Sequence, residues 1–330
     1  MAFAIEFFLR RISQGLVIVV LVALLIFTLL RVVPGDPIRL ILGPMASESV
    51  MEETAQNLGL RDPILVQFGR FMGQVATGDL GRSFIRGIQG GSTGGSQDVA
   101  GAIDPEARAS VAGLIATALP YSLQLAAMGV GLALLIAVPI GMAAGLRAGR
   151  WPDRLGLYVS SLFVSLPNIW VAVMLIYLLS ARANLLPAIG YKDFTYTIIP
   201  AMVMAIELSP IMIRAISVSV AANLGEVFFD VGQVRGLSRR TMVLRHVLRN
   251  AAVPLMNLFG AQMIGMLLGG LFVVEYIFSY PGIGMLTINA VFQRDFPIIQ
   301  AVAILASGVL VAINMLVDFA STMIDRRLKF

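Results

Sequence analysis

The chain has 330 residues, 58% of them hydrophobic and only 13% charged, with a mean hydropathy of +0.87. A soluble domain carries about a quarter charged residues, so this composition places the chain in a membrane before any motif is read. The absence of cysteine excludes disulfides, zinc thiolates, iron–sulfur clusters and a cysteine nucleophile. The net charge of +5 reads as basic flanks of apolar spans rather than as a nucleic-acid surface.

A helix crosses about 30 Å of hydrocarbon with about 20 apolar residues, and helices are the default because an open strand edge in lipid leaves backbone groups unpaired. The sequence predicts six such spans, at about 12–31, 119–145, 155–180, 197–220, 258–280 and 298–323. The fold class is therefore all-α integral membrane. The first apolar run follows Arg10 and Arg11, as a signal peptide would, but it is long and FTLLRVVPGDP offers no small-x-small cleavage site. It is expected to stay as a span. The organisation is then an N-terminal tail and first span over 1–31, an extracytoplasmic loop over 32–118, and a five-helix core over 119–330.

Orientation follows the basic residues of the short loops. Arg10 and Arg11, then Arg147, Arg150 and Arg154, then Arg235 to Arg249, then Arg326, Arg327 and Lys329 all fall on one side. The short loops of the other side hold only Arg182, Lys192 and Arg294. Both termini are expected in the cytoplasm. Within the outer loop, Ser49 to Glu52 reads as a capping box with Gly59 as the helix stop, and Arg61-Asp62-Pro63 breaks the chain. GIQGGSTGGS, Gly87 to Ser96, is a flexible tract with only a superficial likeness to a phosphate-binding loop.

A Walker A loop needs a lysine after glycine to reach the terminal phosphates. Lys192 follows Tyr191 and Lys329 follows Leu328, so this chain has no such site for ATP. With one histidine, His246, and no cysteine, a histidine metal site or a Cys–His pair would need a second chain. Two acids fall at or near the membrane, Glu207 and Asp318. Glu207 stands well inside the fourth span, where a carboxylate costs about 2.5–3.5 kcal/mol on insertion scales and so faces a cavity or a partner. Arg214, two turns on, is a candidate partner that can snorkel inward. A structural acid, a substrate contact, and a proton relay or catalysis are the readings this leaves. Asp318 is expected to be interfacial or paired. A secondary transporter, a channel or a membrane-embedded enzyme are rival classes, but no internal repeat and one deep carboxylate fit them poorly.

The segment 221–257 holds EVFFDVGQVRGLSRRTMVLRHVLRN between two apolar spans. Asn223 is expected to cap a helix, with Glu226 and Asp230 near its positive end and Arg235 near its negative end. Val227, Val231 and Val234 form one apolar stripe. Gly236 ends that helix and Ser238 caps a second, whose apolar face is Val243, Leu244, Val247, Leu248 and Ala251. Arginines 239, 240, 245 and 249 spread over the rest. Such a unit can lie on anionic lipid, serve as a calmodulin-type or nucleic-acid target, or dock into a groove of a cytoplasmic partner. Two capped helices about a glycine favour docking.

DVGQVRGLSRRTMVLRHVLRN resembles the cytoplasmic coupling loop, the EAA---G loop, of ABC importer permeases. Asp230 takes the Glu position, Val231 and Gly232 stand where the two alanines are usual, and Gly236 takes the glycine. RVVPGDP (31–37), LGLRDPILVQF with GDLGRSF (58–84), SLPNIW (165–170), VVEYIFSYPGIG (273–284), RDFP (294–297) and LVDFASTMIDRRLK follow in order. Together they resemble the B-type membrane subunit of the dipeptide/oligopeptide/nickel permease family; the stretch 87–112 is longer than usual there. The resemblance implies a six-helix type I permease fold in the inner membrane of a prokaryote, non-catalytic and without a cofactor of its own. It implies a homologous C-type membrane subunit, two ABC ATPases that bind ATP and Mg, an extracytoplasmic binding protein, and no nucleic acid. It assigns coupling to Asp230, Gly232, Arg235, Gly236, Leu237, Arg239, Arg240 and Arg245, with Leu237 and the valines as apolar anchors. Glu207 and Asn168 are candidates for the substrate path. Di- or oligopeptides are the expected cargo, with nickel chelates, glutathione and opine-like compounds as alternatives.

Overall fold

The structure is a computed structural model that describes residues 2–32, 38, 47–57, 61–87 and 108–324. RVVPGDP beyond Val32, the expected stop at Gly59, the Gly/Ser tract beyond Gly87, and Arg326, Arg327 and Lys329 lie outside the described residues.

Helix α1 covers Ala2–Val32, followed by α2 (Glu48–Asn57), α3 (Ile64–Ala76) and the strands β1 (Arg82–Gly87) and β2 (Arg108–Ser110). Then come α4 (Val111–Leu146), α5 (Trp151–Ser165), α6 (Asn168–Leu175, continuing as a π turn over Ile176–Arg182) and α7 (Ile198–Leu224). The chain ends with α8 (Val227–Val234), α9 (Arg239–Ile277), α10 (Ile283–Gln293) and α11 (Phe296–Ile324). Among the described residues, α1, α4, α7, α9 and α11 are each long and apolar enough to cross a membrane.

The expected third span is broken. α5 and α6 meet at 94° and together make one candidate span. The cause is local: Pro167 disfavours helical backbone at the residue before it, and Leu166 is extended at φ −91°, ψ 120°. Two other expectations shift. α4 begins at Val111, ahead of residue 119. The fifth span is the far end of a 39-residue helix that starts at Arg239. Between α1 and α4, helix α2 starts at Glu48, so Ser49 lies inside it, and Glu52 pairs with Arg61 rather than closing a capping box.

The chain falls into two compact units. The first comprises 1–120 and 286–309. In it Phe27 of α1 packs on Phe68 and Phe71 of α3, with ring centroids 5.4 and 5.5 Å apart. Arg31 lies 3.4 Å over the Phe27 ring and donates to Gln67 at 2.9 and 2.7 Å. β1 and β2 pair antiparallel. Their hairpin is tied to the turn between α10 and α11 by Asp295, which is fully buried. Asp295 accepts the Ser83 hydroxyl and, at 3.1 Å, the Phe84 N–H. Burial pushes its carboxyl above the ordinary range, and these two donors only partly offset that.

The second unit comprises 121–285 and 310–330. Its centre is α7, whose Ile199, Val203, Met204, Ile213 and Val220 are at most 1% exposed. α4 approaches it through glycines, as membrane helices do where backbones must come close. A β-carbon at Gly141 would lie 2.9 Å from the Ile213 carbonyl oxygen, and one at Gly145 would lie 2.7 Å from that of Ser217. At the Ile198 end of α7, Thr197 shares a 3.0 Å hydrogen bond with Tyr280 and accepts from Gln124 at 3.0 Å. Tyr121, Tyr191 and Tyr280 close that end edge to face.

Candidate functional site

Two places carry the residues singled out in the sequence. The first is the segment that joins α7 to α9. α7 runs to Leu224, and Asn223 does not cap the next helix: its amide donates to Ser219 within α7 at 2.8 Å. α8 starts after Glu226, which has extended backbone and no side-chain cap. Asp230 sits in its first turn, where a negative charge suits the helix dipole.

The end of α8 is a Schellman motif. Leu237 N–H bonds the Gly232 carbonyl at 3.1 Å, and Gly236 N–H bonds that of Gln233 at 2.9 Å. Gly236 takes φ +83°, which glycine reaches without a β-carbon clash. Ser238 then caps α9 by accepting from Thr241 N–H at 3.2 Å. The expected second helix therefore exists, but as the first turns of the fifth span rather than as a separate rod.

Phe229 and Gly232 are the buried residues of α8. Gly232 stands against Met242 of α9, and a β-carbon there would fall 2.5 Å from Met242 Cε. Val227, Val231, Val234 and Leu237 are exposed, as are Asp230, Arg235, Gly236, Arg239, Arg240 and Arg245. On α9, Val243, Val247 and Ala251 are buried as expected, but Leu244 faces outward at 52% exposure. The segment thus shows an apolar stripe among cations, held from behind by Phe229 and Met242. His246 is exposed beside it.

The second place lies inside the spans, where Glu207 on α7 and Asn168, the first residue of α6, come together. The break after Leu166 is what brings Asn168 there. The expected pairing of Glu207 with Arg214 is not made, because two turns separate them by about 11 Å along the axis. The Glu207 Oε2 is buried with no hydrogen-bond partner among the described residues. It rests against Gly270, where a β-carbon would lie 2.8 Å away. Gly270 ends the π turn Met266–Gly270 of α9, and such turns often mark functional places in helices. Asp318 is half-buried on α11.

A second deep carboxylate escaped the sequence reading. Glu275, near the end of α9, is fully buried. It accepts the Ser122 hydroxyl at 2.6 Å and the backbone N–H groups of Gly284 and Met285 at 2.6 and 3.3 Å. Ser122 in turn accepts the Ile283 N–H at 2.8 Å. An acid and a serine from two other helices thereby satisfy the open donors at the start of α10. The sequence trace was an acid closely followed by two glycines, Gly282 and Gly284, whose missing β-carbons make room for the carboxylate.

Helices long and apolar enough to cross a membrane, and a basic and apolar segment at a helix junction, define a multi-span membrane protein. The chain belongs to the family described as the binding-protein-dependent transport system inner membrane component, matched over residues 137–330, with the N-terminal region of such components matched over 4–93. It is 32% identical over 326 residues to the glutathione transport system permease protein GsiC of Salmonella paratyphi A, covering 99% of each chain. It is 31% identical over 310 residues to GsiC of Escherichia coli K12, covering 94% of each. It is 30% identical over 332 residues to the probable peptide ABC transporter permease protein y4tP of Sinorhizobium fredii, covering 98% of this chain and 99% of that one. Inward-facing structures of the MetNI methionine ABC transporter match at 18% identity and a TM-score of 0.47, over 66% of this chain and 97% of that one.

The protein is therefore a permease subunit of an ABC importer of the dipeptide and oligopeptide type, multi-pass in a prokaryotic inner membrane. ATP is hydrolysed by separate subunits, and a substrate-binding protein is part of the system. Family membership decides against the secondary-transporter, channel and enzyme alternatives.

Proposed function

We propose that this chain is the B-type subunit of a di- or oligopeptide importer, paired with a homologous C-type subunit on two ABC ATPases. In this reading there are six spans, with α5 and α6 as one, so both termini lie on one side of the membrane; the basic short loops make that side the cytoplasm and leave 32–118 outside. The segment 221–257 receives the ATPases: Leu237 and the exposed valines enter apolar grooves, while Arg235, Arg239, Arg240 and Arg245 meet acids. Closure of the ATPases on ATP opens the spans outward, the binding protein delivers cargo past Glu207 and Asn168, and hydrolysis resets the bundle. This chain needs no cofactor for that work.

The observation that carries the peptide reading is full-length similarity to relatives named for peptide and for glutathione, itself a tripeptide. Glutathione is the second reading, favoured by the names of several relatives. The test is uptake of labelled trialanine and of labelled glutathione by cells with and without this gene. Gene-dependent uptake of trialanine is expected; uptake of glutathione alone selects the second reading, and uptake of neither overturns both.

A further inference from the structure

We propose that Glu207 and Asn168 form a binding site for a protonated amine at the break between α5 and α6. The inference rests on the substrate-path reading of these two residues and names the chemistry that the path accepts. An ionised carboxylate offers only acceptors, and a neutral amide can satisfy one of its oxygens. Here Asn168 is the polar side chain that faces Glu207, and Oε2 is buried without a partner. Leaving such an oxygen unpaired in an apolar interior is costly. Pro210 lies one turn further along α7 and has no N–H, so the Ile206 carbonyl loses its helical donor and adds another acceptor to this turn. Gly270 brings no side chain to help. The cluster is rich in acceptors, and among the described residues no cation pairs with Glu207.

An ammonium group supplies both needs, with three donors and one positive charge. A divalent metal ion fits less well: calcium takes six to eight oxygen ligands, and magnesium demands an octahedral shell. A cargo carboxylate would add a further acceptor where a donor is needed. In this conformation the carboxylate fills the space a β-carbon at Gly270 would take, and Oε2 is buried, so the site is closed. The helix that covers it has a π turn at that point and open space at Gly265 and Gly269. A shift of α9 away from α7 at Gly270 uncovers the carboxylate.

Because this chain has no cysteine, Asn168→Cys places a single thiol beside Glu207. The complete transporter in proteoliposomes is treated with a cationic reagent, 2-aminoethyl methanethiosulfonate, and an anionic one, 2-sulfonatoethyl methanethiosulfonate. Rates are corrected for reaction with free cysteine, and labelling of this chain is read by mass spectrometry. The cationic reagent is expected to react about tenfold faster. That preference falls to near unity with Glu207→Gln and persists with Glu207→Asp. Equal rates in the parent, a preference untouched by Glu207→Gln, or no labelling by either reagent overturns the amine site. The labelling does not depend on which cargo the binding protein selects, so a failure of the peptide reading appears only in the uptake assay.

Discussion

Glu275 and Ser122 are 153 residues apart in the chain and share a 2.6 Å hydrogen bond in the buried interior. Each also accepts a backbone N–H from the start of α10. One carboxylate thus joins three helices, α4, α9 and α10.

This pair predicts an asymmetric loss. Glu275→Ala leaves a buried hydroxyl and two buried N–H groups short of acceptors, at about 1–3 kcal/mol for each group left unpaired. Glu275→Gln keeps one acceptor oxygen and costs less. Gly284→Ala forces a β-carbon onto the Phe272 backbone and the Glu275 carboxylate. Thermal unfolding of the purified transporter should therefore rank wild type above Glu275→Gln, and Glu275→Gln above both Glu275→Ala and Gly284→Ala.

The contact between Gly232 and Met242 predicts a compensating pair. Gly232→Ala restores the alanine usual at that position in the EAA pattern, yet it overlaps the Met242 thioether and should cost about 1–3 kcal/mol by overpacking. α8 is then displaced from α9. ATP-driven uptake falls while the chain still inserts in the membrane, and Met242→Ala in the same chain restores much of it. A double variant no better than Gly232→Ala alone rules out the steric account.

Gly236→Pro removes the N–H that closes the end of α8 on Gln233 and imposes φ near −65° where the chain needs +83°. The expected result is an assembled transporter whose ATP hydrolysis no longer drives uptake. Wild-type uptake by that assembled variant would overturn the proposed coupling role of Gly236.

Asp295 gives a pH dependence. Its folded carboxyl titrates above the ordinary value of 3.8 because of burial. The folded state therefore holds this proton where the unfolded chain has lost it. The contribution to stability is fully present below about pH 3.8 and is lost as pH rises through the folded value. The melting temperature of wild type minus that of Asp295→Asn, measured in detergent across this range, should fall as pH rises. A difference independent of pH would show that Asp295 titrates alike in both states.

Local chemistry made the helix ends within 221–257 legible. Gly236 and Ser238 act on neighbours within three residues, so their spacing was enough to place a helix end and a helix start. Asn223 failed as a cap because packing carries α7 on to Leu224, and tertiary contact outweighs a capping preference. Hydropathy averaged across Pro167 and hid the break that brings Asn168 to Glu207. The role of Glu275 depends on Ser122, and no window along the sequence contains both. The π turns of α9, over Met242–Val247 and Met266–Gly270, left no local signal in the sequence.

The 39 residues of α9 are about 58 Å long at 1.5 Å per residue. The hydrocarbon core is about 30 Å thick. Even with a strong tilt, a continuous rod of that length exceeds the hydrocarbon core, so part of the helix that carries Arg239, Gly270 and Glu275 stands outside it. On the proposed coupling role, a push at Arg239 would reach Gly270, beside Glu207, along one helix and without a relay of side chains. The helix would then be a lever arm, with π turns at Met242–Val247 and Met266–Gly270 where it can give.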